Sequence, residues 1–186
     1  MFNIIASFGR FQPFTRAHEA MFNAMHRYNI DDAGINVKVV GTSESYDKEN
    51  NWLPFSLKEQ MFHQIFPRWD RPAFVKSHDL CSFFKQLEAM SSEYSNLYYF
   101  CGPDRVAKTF KFLSDYNGKE FTFKDIVVIP FECSESVRAT QMRKAILAND
   151  KKTFEEMCPR AYTKGYRHLA WRQIRAVLRD DHGIRL

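Results

Sequence analysis

The stretch Ile4-Ile5-Ala6-Ser7-Phe8-Gly9-Arg10-Phe11-Gln12-Pro13-Phe14-Thr15-Arg16-Ala17-His18-Glu19 decides how the chain is read. An apolar run ends in Ser7-Phe8-Gly9-Arg10, a turn carries Pro13, and an amphipathic pattern begins at about Arg16. That order reads as strand, loop, helix. Such a junction suits an anion. Gly9 lets backbone approach a ligand, Arg10 and Arg16 supply fixed positive charge, and the first helical turn presents unpaired N–H groups at the positive end of its dipole. His18 falls in that first turn, aimed back at the loop. On the residues alone Thr15 reads equally as an N-cap and His18 as a half-buried helix residue, because Met21, Phe22, Met25 and Tyr28 share its face.

Outward from this stretch the chain alternates. Residues 2–7 read as a first strand, 16–28 as a first helix, Asp31-Asp32-Ala33-Gly34 as a turn and 35–41 as a β-rich second strand. A polar connection over 42–53 follows. Phe55, Leu57, Met61, Phe62, Ile65 and Phe66 then recur at helical spacing, opened by Pro54 and Ser56 and stopped by Pro67. Residues 72–75 form a weak third strand, 80–90 a helix, and 96–101 a fourth strand that runs into Gly102-Pro103-Asp104-Arg105 and a helical pattern through Val106, Phe110 and Leu113. Residues 126–130 are a continuous apolar run of the kind buried on both faces of a parallel sheet. A helix through Met142, Ala145 and Ile146, a short one at 150–157 and a last one at 166–178 complete the chain.

Five such alternations predict an α/β, Rossmann-like, doubly wound parallel sheet in the order 3-2-1-4-5 with a C-terminal helical extension. Ligands of such sheets sit beyond the carboxyl ends of the strands, where the order reverses. The loops after strands one, two, four and five all open there, so His18, Gly102 and Thr140 are expected to converge.

Composition sets the outer limits. A chain of 186 residues, 45% hydrophobic and 26% charged, buries a full core. Its start, Met-Phe-Asn-Ile-Ile-Ala-Ser, lacks a basic leader, and no run approaches the ~18 apolar residues of a membrane span, so a cytoplasmic protein with no membrane partner is expected. Cys81, Cys101, Cys133 and Cys158 lie far apart and form no CxxC pair, which indicates neither a zinc site nor a disulfide framework. Of the 27 Lys and Arg and 22 Asp and Glu, residues 160–186 hold seven and two; the whole net charge of +5 therefore sits in the tail. A neutral body argues against a general nucleic-acid surface. The last helix carries Trp171, Ile174 and Leu178 on one stripe, expected to dock, and Arg172, Arg175 and Arg179 on another, expected to face outward as a solvated or nucleic-acid-binding strip.

These residues also carry a resemblance. GRFQPFTRAH is similar to the nucleotidyltransferase signature (H/T)xGH, in the GRFQPxHxGH form of nicotinamide mononucleotide adenylyltransferases of the archaeal type and related phage proteins; Thr15 takes the first His/Thr position, His18 the last His, and Ala17 replaces the usual Gly. Asn50-Asn51-Trp52-Leu53-Pro54-Phe55-Ser56 looks like the NPLPF/NPLSY segment of this group, and Gly102-Pro103-Asp104 like its GxD element. Val137-Arg138-Ala139-Thr140-Gln141-Met142-Arg143 stands in the place of the second signature, ISSTxxR, with Thr140 and Arg143 matching and Arg138 where a Ser is usual.

The resemblance covers about residues 2–148 and implies a nucleotidyltransferase domain at 1–148, with the extension at 149–186. It implies transfer of AMP from ATP to the phosphate of a small molecule, first nicotinamide mononucleotide to give NAD, with release of pyrophosphate. Alternatives are cytidylyl transfer, another acceptor such as phosphopantetheine or FMN, or a nucleotide-binding protein without turnover that uses its basic tail on nucleic acid or a partner. By the same resemblance His18 and Thr15 contact phosphates at the reacting centre, Arg10 and Arg143 hold the β and γ phosphates, and Phe8, Gly9, Gly102, Asp104, Arg138 and Thr140 bind the nucleotide. Mg2+ bridges phosphate oxygens with no dedicated carboxylate cage. Nucleic acid is the less favoured partner, and a homo-oligomer is left open. Independently, Thr140 and Arg143 lie one turn apart on one helix face, where they can hold adjacent phosphate oxygens, and the Arg138 guanidinium offers a two-pronged contact.

Overall fold

The computed structural model describes residues 2–28, 35–66, 72–90, 95–133 and 137–185. The N-terminal apolar run forms β1 (Phe2–Gly9), whose residues 3–7 are all buried, as expected for a strand with neighbours on both sides and cover on both faces. β1 pairs in parallel with β2 (Ile35–Ser43) on one side and β4 (Ser95–Cys101) on the other. β3 (Ala73–Ser77) lies outside β2 and β5 (Ile126–Pro130) outside β4, both parallel. The order is β3-β2-β1-β4-β5, the Rossmann-like arrangement that the strand and helix alternation predicts. The helices are α1 (Arg16–Arg27), α2 (Phe55–His63), α3 (Leu80–Ala89), α4 (Val106–Tyr116), α5 (Ala139–Leu147), α6 (Lys151–Met157) and α7 (Lys164–Asp180), with a 3-10 turn at Pro103–Arg105.

The chain divides into two compact units. The first (Met1–Gly9, Met21–Ser43, Pro72–Glu132) holds the whole sheet with α3 and α4. The second (Arg10–Ala20, Glu44–Arg71, Cys133–Leu186) holds α2, α5, α6 and α7, while α1 starts in the second and ends in the first.

The first unit is built on phenylalanine. Ile4, Ala6, Val39 and Leu97 from the sheet pack with Phe83, Phe84 and Leu87 of α3 and Leu113 of α4. The Phe84 ring centroid stands 5.2 Å from that of Phe121 and 5.4 Å from that of Tyr99. Across the buried β1–β4 pair, Asn96 donates to Asn3 at 3.0 Å. Gly41 marks the tightest point: a Cβ there would stand 2.4 Å from Phe83 and 2.8 Å from Phe8. Phe83 is fully buried and has no room to yield. Gly41→Ala is therefore expected to destabilise the fold by ~1–3 kcal/mol, the usual cost of overpacking a core, seen as a lower urea midpoint; an unchanged midpoint would show that α3 shifts freely.

Several expectations need correction. The run 126–130 is not buried on both faces: Val127 is 42% exposed, because β5 ends the sheet and its faces are incompletely covered. α2 stops at His63, so buried Ile65 and Phe66 lie in the turn that follows rather than on the helix. Phe110 is exposed on α4, although the helical pattern counted it among the inward residues. The turn at 31–34, the stop at Pro67 and the loop residues 134–136 lie outside the described residues.

In the second unit, Ala170, Trp171, Ile174 and Leu178 of α7 are buried as the apolar stripe requires, with Trp171 5.2 Å from Phe154 of α6. The basic stripe differs from expectation. Arg172 and Arg179 are exposed, but Arg175 folds back with its guanidinium 5.2 Å over Trp171 and donates to the Ile146 carbonyl at 3.4 Å. Arg179 is paired with Asp180. A cation beside a Trp ring gains from the ring's negative face, which outcompetes full hydration at that one position and breaks the strip. Among the described residues no helix is long and apolar enough to cross a membrane.

Candidate active site

The first signature is a buried loop with one exposed end. Arg10 is exposed, while residues 11–15 are all buried. Phe11 has φ 48, a left-handed conformation that is costly for a bulky residue and is retained where the surroundings dictate it. Those surroundings are its stacking on Phe14 at 4.9 Å and the anchor at Gln12. The Gln12 Oε1 accepts the Leu53 N–H at 2.7 Å and its Nε2 donates to the Leu53 carbonyl at 3.3 Å. The side-chain amide thus pairs with backbone as a strand neighbour would, tying the loop to the polar connection before α2.

Thr15 and His18 form a reciprocal cap at the start of α1. The His18 N–H donates to Thr15 Oγ1 at 3.4 Å, and the Thr15 N–H donates to His18 Nδ1 at 3.1 Å. This is the logic of a capping box with imidazole in place of a carboxylate. The backbone N–H can only donate, so Nδ1 must present its lone pair and the neutral ring carries its proton on Nε2. The ring itself stands edge to face against Phe11, with centroids 5.1 Å apart. The cap and half-buried-helix reading of Thr15 and His18 is thus what the contacts describe: a buried Thr15 and a half-buried imidazole held at the start of α1. Arg16, read as anion-binding charge, sends Nη1 to the Glu156 carbonyl at 3.0 Å.

The second signature opens α5. Arg138 is its extended N-cap: its N–H donates to Gln141 Oε1 at 2.9 Å and its carbonyl accepts the Gln141 N–H at 3.0 Å. Arg143 reaches back across one helical turn and beyond, donating from Nη2 to Thr140 Oγ1 at 3.4 Å and from Nη1 to the Gln12 carbonyl at 2.9 Å. Its guanidinium also lies 5.7 Å from the centre of the Trp52 ring. Burial first, and the like charge of Arg10 second, pull the Arg143 pKa below its usual value. The second unit thus gathers Arg10, Thr15, His18, Thr140 and Arg143 around one loop, while Arg138 is exposed at the helix start.

The remaining predicted residues belong to the first unit. Gly9 ends β1 beside Thr42, and the Phe8 ring packs on Phe83 with centroids 5.3 Å apart. Gly102 follows β4, where a Cβ would stand 2.7 Å from Asp104 Oδ1. Asp104 itself is exposed in the 3-10 turn.

Other residues of the second unit escaped the sequence reading. Asp47 organises the polar connection by accepting the N–H groups of Asn50 at 2.7 Å and Glu49 at 2.9 Å. These bonds, Asn50's first, hold its carboxyl down to about 2. The Trp52 carbonyl lies 3.0 Å from His182 Nε2, and the Tyr46 hydroxyl donates to Asp181, so the end of α7 closes on the same connection.

Lys58 of α2 is fully buried, and that burial pulls its pKa down to about 8. Its folded pKa lies below the unfolded one, so the native state binds fewer protons and stability rises as pH climbs from about 8 to about 10.5. The shift corresponds to a rise on the order of 3 kcal/mol. Lys58→Met is expected to flatten that part of the stability profile and raise the melting temperature at pH 7; an identical profile in both proteins would show that the amine is not desolvated.

No family model and no curated protein matches the chain. Solved structures do, in eight chains, and the class they share with it is the doubly wound α/β fold. One is a Vibrio parahaemolyticus protein provisionally described as a nicotinate-nucleotide adenylyltransferase, with TM-score 0.58 and 12% identity over 91% of this chain and 99% of that one. Thermotoga maritima TmcAL, bound with alpha-thio ATP, matches with TM-score 0.59 and 9% identity over 93% of this chain but only 56% of its own. Plasmodium falciparum nicotinic acid mononucleotide adenylyltransferase, complexed with NaAD, matches with TM-score 0.58 and 16% identity over 83% and 94%. At such identities the likeness is one of fold, and function rests on the site.

Proposed function

We propose that this protein transfers a nucleotidyl group, AMP from ATP, to the phosphate of a small molecule, with nicotinamide or nicotinate mononucleotide as the first candidate acceptor. The observation that carries the reading is the reciprocal Thr15–His18 cap, set in the same loop whose Gln12 carbonyl Arg143 holds and where Arg143 feels the like charge of Arg10. Two of the fold neighbours have names that speak of adenylyl transfer to a mononucleotide, and a third was solved with an ATP analogue.

The chemistry asks little of protein side chains beyond placement. An acceptor phosphate oxygen attacks the α-phosphorus, forming a new P–O bond as the bond to the β-phosphate breaks and pyrophosphate leaves with the electron pair. His18 Nε2–H stabilises charge on the transferring group, and Arg10 and Arg143 neutralise the departing phosphates. Mg2+ would be held by phosphate oxygens: among the described residues no group of three or more His, Cys, Asp or Glu could hold a metal, and the site's cationic and N–H donors do not fit one. The test is pyrophosphate release by the full chain with ATP or CTP against nicotinamide mononucleotide, nicotinate mononucleotide, phosphopantetheine, FMN, phosphocholine and glycerol phosphate. One strongly preferred pair is expected. Release from none of them, with nucleotide still bound, would make the chain a binding protein.

A further inference from the structure

Glu19 follows His18 directly and is only 8% exposed. Its carboxylate accepts two backbone N–H groups, from Arg160 at 2.5 Å and from Ala161 at 2.9 Å. A carboxylate held by two amides is charge-assisted and strongly directional. The same part of the chain is tied to α1 a second time through Arg16 and the Glu156 carbonyl. It also continues from α6, which packs against α5, the helix of Arg143. A continuous path of contacts therefore runs from Arg143 through α5, α6 and the turn at 158–161 to the first turn of α1. This path is separate from the direct bond of Arg143 to the Gln12 carbonyl.

We propose that Glu19 is a positioning residue, holding the first turn of α1 so that the His18 ring is aimed consistently relative to Arg143. Thr15 fixes the ring within the helix, and Glu19 fixes the helix within the unit. The residues around 160, expected from sequence to lie in an appended extension, thereby become part of the active unit. The proposal rests on the nucleotidyl-transfer reading for its kinetic arm only.

The experiment compares full-length Glu19→Ala and Glu19→Gln with the parent by kcat, by KM for ATP and by the 15N signals of the His18 ring. A small displacement of a reacting group costs rate more than binding, so Glu19→Ala is expected to lose about 10-fold or more in kcat with KM within about threefold. Glu19→Gln keeps one carbonyl oxygen for one amide and is expected to recover part of that loss. In the parent the ring signals are expected to report Nδ1 unprotonated and Nε2 protonated, as the Thr15 contact requires; in Glu19→Ala they are expected to shift as the first turn of α1 moves relative to its surroundings. Parental kcat with unchanged ring signals in Glu19→Ala, or in Glu19→Gln should the alanine variant not fold, overturns the proposal. If the parent itself releases no pyrophosphate, the functional reading falls while the ring signals still decide the positioning role.

Discussion

His18→Ala is expected to lower turnover by about 100-fold or more while nucleotide affinity stays within a few-fold. The Thr15 cap fixes the His18 ring in advance, with Nδ1 turned to the Thr15 N–H and Nε2–H as the ring's donor. A donor already in place when charge develops on the transferring phosphoryl group acts mainly in the transition state, and removing one such donor typically costs ~100- to 1,000-fold in rate. Steady-state kinetics with parallel nucleotide titration separates the alternatives. Equal loss of rate and affinity would make His18 a ground-state ligand, and a variant that no longer folds would mark it as a core residue, packed against Phe11 and Phe14.

Arg143→Ala is expected to cost more, about 1,000-fold in kcat/KM, because one guanidinium meets three needs. One nitrogen holds the Gln12 carbonyl, another holds Thr140, and the flat face lies toward Trp52. Its charge is also disfavoured by burial first and by Arg10 second, so an anionic triphosphate relieves a cost present in the free protein. Lysine brings a single ammonium with no fork and no face, and Arg143→Lys is expected to recover little. Full recovery by lysine, measured as kcat/KM for the nucleotide, would reduce Arg143 to a point charge.

The sheet was legible because each of its features is local. The 2–7 and 126–130 runs, the Pro54 punctuation and the helical spacing at 55–62 each announce one element, and right-handed crossovers restrict the order to few choices. The Thr15 cap and the nearness of Thr140 to Arg143 were legible for the same reason, since each pair is three residues apart and helix geometry brings it together. Gln12 with Leu53, Glu19 with Arg160 and Ala161, and His182 with Trp52 join residues 41, about 141 and 130 positions apart. No periodicity records such contacts. Burial of Lys58 was equally hidden, because a Lys within an apolar helical pattern reads as a solvated position. Arg175 was misplaced by a local rule that was sound for Arg172: only the fold shows that the neighbouring Trp171 leaves one ring face for it. Val127 failed for a related reason, as strand composition does not say which strand ends the sheet.

The central claim, nucleotidyl transfer at the loop of His18 and Arg143, is tested most directly by 31P spectra of the full-length protein with ATP, Mg2+ and nicotinamide mononucleotide. Equimolar growth of pyrophosphate and of a dinucleotide P–O–P signal, slowed about 100-fold or more in His18→Ala at the same protein concentration, is the expected result. ADP with inorganic phosphate, or a spectrum unchanged by the parent protein with this and every other acceptor of the panel, would contradict it.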